Sequence, residues 1–134
     1  MRTPALLMIL VPLLASAPAE AQRRVLWDRV GSTEIREGWT RATIWAPGRQ
    51  RYREVRLCVT RRALRVNSFT INFPLQPQGR WAHEQVVPLN RTISPGQCSR
   101  ETWIRGGARD IRQVEIRFAR FQGGTRPVVR LEAR

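Results

Sequence analysis

No lysine occurs in this sequence. All 24 basic residues are arginine, set against 10 acids, and the formal net charge is +14. Lysine serves as well as arginine on a solvated surface, so its exclusion is better explained by the coding bias of a GC-rich genome than by a function. The charge acts whatever its origin, drawing anionic polymers and membrane surfaces to the protein at low salt. Histidine is nearly absent too. A lone His83 with only Cys58 and Cys98 cannot build a zinc centre, and no carboxylate-rich calcium loop is present. There is no Gly-x-Ser-x-Gly elbow for a nucleophilic serine. Helical periodicity is missing throughout, as is any apolar run of the ~20 residues that cross a bilayer. The expected cofactor complement is none.

The N-terminus carries a targeting pattern. Met1-Arg2 is followed by the apolar run Ala5–Leu14, which Pro12 interrupts, and then by Ala19-Glu20-Ala21, an A-x-A cleavage site. This reads as a secretory signal peptide over residues 1–21, cut after Ala21, with a single domain over residues 22–134. Losing Arg2 and Glu20 together leaves the balance at +14. Export to the periplasm or the medium favours a Cys58–Cys98 disulfide. No transmembrane segment is expected after cleavage.

Period-2 alternation broken by Gly and Pro turns predicts an all-β fold, an antiparallel sandwich of about eight strands in a jelly-roll or immunoglobulin-like arrangement. The expected strands are Val25–Val30, ended by Gly31, then Trp39–Trp45, Tyr52–Thr60 and Leu64–Phe73. Trp81–Leu89, Ser99–Ile104, a long strand within Arg105–Arg120 and Val128–Glu132 complete the set. In Leu64–Phe73 the apolar residues switch from Leu64 and Val66 to Phe69, Ile71 and Phe73, which demands a bulge near Asn67-Ser68. Pro88, with no N–H to give, belongs on an edge strand. The 74–79 run is a loop, and the Gly106-Gly107 and Gly123-Gly124 pairs are turns. A unit of acid, β-branched residue and arginine occurs four times, as Glu34-Ile35-Arg36, Glu54-Val55-Arg56, Asp110-Ile111-Arg112 and Glu115-Ile116-Arg117. In a strand each unit buries its middle residue and turns its charges outward. Trp27, Trp39 and Trp103 are expected to help fill the core.

The order of these elements resembles small exported bacterial β-sandwich proteins classed only as domains of unknown function. The residues that carry the likeness are Val30-Gly31, Arg51–Val59, Val66–Phe73, Gly106–Val114 and the closing Val128–Leu131. It implies fold and export, and no site residue.

Catalytic constellations are poorly supplied. Most acids alternate with arginine at i+2, the wrong setting for a general acid. An envelope-polymer hydrolase would have to use His83 with Glu84 or Glu101. Polyanion binding is the stronger reading, because guanidinium forks match phosphate and sulfate. The candidate anion-binding residues are Arg49, Arg51 and Arg53, which alternate along one strand, and Arg109, Arg112 and Arg117. Acidic polysaccharide, lipid head groups or an acidic protein would suit such a face. Nucleic acid is disfavoured, since no RNA-recognition or oligonucleotide-binding signature is present. The leading expectation is a non-enzymatic envelope protein. The hydrolase is one alternative; another is an assembly subunit that makes contact through Trp81 and the 74–80 loop.

Overall fold

A computed structural model describes residues 3–5, 8–9, 12, 26–47, 49–75 and 82–134. Ala21, Val25 and Trp81, with residues 76–80 of the predicted loop, lie outside the described residues. Among the described residues everything regular is strand: β1 (Asp28–Glu34), β2 (Arg41–Trp45), β3 (Arg51–Tyr52), β4 (Glu54–Thr60), β5 (Leu64–Asn72), β6 (Glu84–Ile93), β7 (Gln97–Cys98), β8 (Thr102–Trp103), β9 (Arg109–Asp110), β10 (Gln113–Phe118) and β11 (Val128–Ala133). All pairings are antiparallel. One sheet runs β1-β11-β4, with β7 and β8 both pairing with the far edge of β4; the second runs β2-β10-β5-β6; and β3 and β9 form a two-stranded ribbon.

Alternation explains which side chains meet. Val55, Leu57 and Val59 of β4, with Val129 and Leu131 of β11, point at Phe69 and Ile71 of β5 and Val114 and Ile116 of β10, and all nine are fully buried. Residues from both large sheets thus form one core cluster. Between about 1.5 and 3 kcal/mol per buried aliphatic side chain is the main favourable term holding the sheets together. The middle residue of every acid–β-branched–arginine unit, Ile35, Val55, Ile111 or Ile116, is buried as expected. The bulge is also found: the register shifts between Val66 and Ser68 against β6, and the same place is irregular against β10. Pro88 sits on β6, an edge strand, and the stretch around Val114–Phe118 is central, between β2 and β5.

Several expectations need correction. Among the described residues the strand count is eleven, not eight, because short pairings interrupt what alternation reads as single strands or fall outside them. A bend at Arg53 separates β3 from β4, the expected Arg105–Arg120 strand holds two pairings, β9 and β10, and β7 lies ahead of the expected Ser99–Ile104, of which Thr102–Trp103 alone is strand. Gly31 does not end β1. The strand continues to Glu34 through a register shift between Arg29 and Gly31. A Cβ at Gly31 would stand 2.7 Å from the Trp45 carbonyl oxygen and 2.8 Å from Ile44 Cγ2, so the glycine serves close approach to β2 rather than a turn. β2 begins at Arg41, not Trp39. β6 runs from Glu84 to Ile93, carried past Leu89 by pairing with Leu64–Val66.

The tryptophans depart furthest from expectation. Trp39 is 40% exposed and Trp103 68% exposed. Trp27 lies on the outer face of the first sheet, its ring 4.3 Å from the Arg56 guanidinium carbon and 4.4 Å from that of Arg134. The core is filled instead by aliphatic residues and Phe69, Phe73 and Phe118.

Candidate functional site

The acids on the outer face of the first sheet are neutralised across strands. Arg56 and Glu132 stand directly opposite each other on β4 and β11. Glu132 Oε1 accepts from Arg56 Nε at 2.9 Å and Nη2 at 2.6 Å, and its Oε2 accepts from Arg130 Nε at 2.9 Å. Arg134 Nε donates to Glu54 Oε2 at 2.5 Å. Arg61 and Arg126 both pair with Glu34. Only Glu115 and Arg117 pair within one unit, at 3.9 Å on an exposed face. Beside Glu132 runs the Cys58–Cys98 disulfide, joining residues opposite each other on β4 and β7. Both sulfurs and the Glu132 carboxylate lie within 4.8 Å of one another. The sulfurs are bonded to each other and the carboxylate is held by two guanidinium groups, so this cluster has no free ligand to give a metal.

Arg109 is set apart from this pattern. It lies on β9, opposite Tyr52 of β3, and is only 6% exposed. Its guanidinium carbon stacks 3.7 Å from the centroid of the Phe73 ring. Nη2 donates to the Ala82 carbonyl at 3.2 Å and Nη1 to the Arg105 carbonyl at 3.5 Å, while Nε is buried with no partner. No carboxylate lies within ion-pairing distance of it among the described residues, and residues 76–81, which follow Leu75, contain no acid. Burial pulls its acidity constant below the usual arginine value. A guanidinium nonetheless stays charged in a protein, so the site holds a largely desolvated positive charge. Arg109 borders a cavity of about 160 Å³ that is also lined by Arg51, Phe73, Pro74, Gly106, Ala108 and Asp110. Gly106 and Gly107 both have positive φ, 90° and 85°, which lets the β8–β9 connection turn tightly at the rim.

The six candidate anion-binding arginines do not share a face. Arg51 and Arg109 both border the first cavity, although the β3–β9 register sets Arg51 opposite Asp110 and Arg109 opposite Tyr52. Arg49 lines a separate recess with Tyr52 and Ile111, and Arg53 a third, of about 240 Å³, with Glu54, Trp103 and Arg134. The bend at Arg53 and the irregular approach to β3 break the simple alternation expected of 49, 51 and 53. Arg112 and Arg117 are exposed, and Arg117 leans toward Glu115. His83 and Glu84 are both exposed, and no hydrogen bond joins their side chains among the described residues. The Tyr52 phenol is pushed up by burial and then by Asp28, which keeps it neutral. Sequence reasoning grouped Arg109 with exposed arginines. Its flanking alternation, Arg109 and Ile111 on one side and Asp110 on the other, was the available sign that it points inward.

This is, then, an all-β protein of two large antiparallel sheets, stapled by one disulfide, and among the described residues one buried arginine has no carboxylate within ion-pairing distance. The chain belongs to the family described as Domain of unknown function (DUF2541), which it matches over residues 5–131. Membership agrees with the expected placement among domains of unknown function and assigns no residue a role. Comparison with curated proteins and with solved structures found no match to either. Among the described residues, no helix is long and apolar enough to cross a membrane.

Proposed function

We propose that this is an exported, non-enzymatic β-sandwich protein of the bacterial cell envelope, periplasmic or secreted, that binds an anionic group in the Arg51–Arg109 cavity. The observation that carries the reading is the buried Arg109 guanidinium, which borders a cavity and has no carboxylate within ion-pairing distance among the described residues. Burying an unpaired charge is costly, and an anion in the cavity supplies the missing partner. Export is supported by the leader-like N-terminus and by a disulfide, which persists in oxidising compartments. The sandwich is supported by the single core that both sheets share.

Two variants of equal charge test the reading. Arg51→Gln/Arg109→Gln should leave a heparin column at markedly lower salt than the parent, with binding weakened about tenfold or more at constant ionic strength. Arg112→Gln/Arg117→Gln, which removes the same charge from an exposed strand, should elute close to the parent. Equal shifts in the two variants would reduce the interaction to bulk charge and overturn the proposal. Arg51 is exposed, so Arg51→Gln alone provides the comparison if the double variant fails to fold.

A further inference from the structure

The cavity has a neighbour along the same stretch of chain. Arg51 lines the first cavity, and Arg53, two residues on, lines the second, with Glu54, Trp103 and Arg134. The same ordering holds on the opposing strands, where Tyr52 faces Arg109 and Glu54 faces Trp103. The loop between Trp103 and Arg109 is held to the body where it leaves β8. Ile104 N–H donates to the Arg53 carbonyl at 2.8 Å, and Gln85 bridges it by donating to the Trp103 carbonyl at 3.0 Å and accepting from Arg105 N–H at 2.9 Å. Trp103 is thereby fixed at its backbone while its side chain stays 68% exposed.

The charges set the kind of anion. Arg51 and Arg109 bring two positive charges to the first cavity and Asp110 one negative, a surplus of one. A singly charged group matches that surplus; a phosphate monoester, close to doubly charged at neutral pH, brings one charge too many beside Asp110. A planar carboxylate also suits guanidinium donors. In the second recess Glu54 and Arg134 are already paired with each other. What remains to be offered there is the Trp103 ring and the Arg53 donors, the combination that receives the apolar face and the hydroxyls of a sugar ring.

Building on the anion-binding reading, we infer that the ligand is a uronic-acid-containing glycan, with one residue's carboxylate in the Arg51–Arg109 cavity and a neighbouring sugar ring stacked on Trp103. Its partner class is thus an acidic polysaccharide rather than a lipid surface.

Calorimetric titration of the intact protein with galacturonic acid, its trimer and neutral maltotriose, at constant ionic strength, separates the parts. The trimer should bind at least about tenfold more tightly than the monomer, an advantage worth roughly 1.4 kcal/mol. Trp103→Ala should abolish that advantage and leave monomer binding unchanged, while Arg51→Gln should weaken both, and maltotriose should not bind measurably. Equal affinity for monomer and trimer, or a trimer advantage that survives Trp103→Ala, would overturn the glycan inference while leaving the anion cavity standing. Binding that is indifferent to Arg51→Gln would overturn both. Tighter binding of galactose 6-phosphate than of galacturonic acid, or of phosphatidylglycerol vesicles than of the trimer, would also overturn the carboxylate assignment.

Discussion

Removing the Cys58–Cys98 bridge, as Cys58→Ala/Cys98→Ser, is expected to destabilise the protein by roughly 4 kcal/mol. The two cysteines are 40 residues apart in sequence, so the bond removes much of the freedom of a long loop from the unfolded chain. Within that loop lie β5 and β6, half of the second sheet, while the bond itself fastens the first. Without it β7 is a two-residue strand on β4, held by its own pairing, by Gly96 N–H to the Val59 carbonyl at 2.8 Å, and by Ser99, whose N–H reaches the Leu57 carbonyl at 2.7 Å. Ser99 Oγ accepts from Leu57 N–H in return, at 2.9 Å. These bonds keep the native geometry available but do not replace the loop closure. The thermal midpoint should fall by on the order of 15 °C for a domain of this size. Urea unfolding of the variant, and of the parent under reductant, checks the value; a loss under about 1 kcal/mol in both would mean the unfolded chain is already compact around this loop.

Glu132→Ala is expected to cost about 3 kcal/mol, near the lower end for breaking a buried ion pair, because Arg56 and Arg130 are each about a quarter exposed. The carboxylate is nearly buried and takes three guanidinium N–H donors, so its loss leaves two arginines facing each other across β4 and β11 beside the disulfide. Cation–π contact with Trp27 retains part of the Arg56 packing. Glu115→Ala is the internal comparison. Its pair with Arg117 spans 3.9 Å on an exposed face and should contribute less than about 0.5 kcal/mol. Chemical denaturation of both variants gives the contrast directly; similar losses would mean that burial does not set the weight of these ion pairs.

Much of the architecture was legible because strand parity leaves a direct mark. Val55, Leu57 and Val59 alternate with charged or small residues, and all three point into the core. The parity slip between Val66 and Phe69 forecast the bulge at Asn67. Parity failed where strands are too short to show it: a two-residue pairing such as Gln97–Cys98 or Thr102–Trp103 carries no period, which is why the first was not expected as a strand and the second was expected to be longer. The tryptophans were misjudged because size and hydrophobicity were allowed to outweigh position. Ile104 points inward, so its neighbour Trp103 points out; Ala42 and Ile44 do the same to Trp45. Trp27 precedes β1, and only tertiary packing brings it over Arg56 and Arg134.

The site was half legible. Arg51 and Arg109 were both singled out, but as members of an exposed basic face. Their meeting depends on the β3–β9 pairing, and the burial of Arg109 depends on Phe73 from the end of β5 and on the Ala82 carbonyl just before β6. No local pattern encodes a contact between segments so far apart. The absence of an acid from residues 76–81, by contrast, is visible in the chain itself. On the first sheet an arginine surplus is largely absorbed by cross-strand pairing, and this is what isolates Arg109 as the exception.

The most direct test of the anion cavity is the Arg109 guanidinium itself. Its Nε–H is buried and unpartnered, so it should exchange slowly with water and give a resolved signal in a ¹⁵N-edited NMR spectrum, assignable by its loss in Arg109→Lys. Titration with galacturonic acid trimer at fixed ionic strength should move this signal along a saturating curve, with the signals of Arg112 and Arg117 nearly still. A stationary Arg109 signal, or one that drifts without saturation together with those of the exposed arginines, would contradict the account.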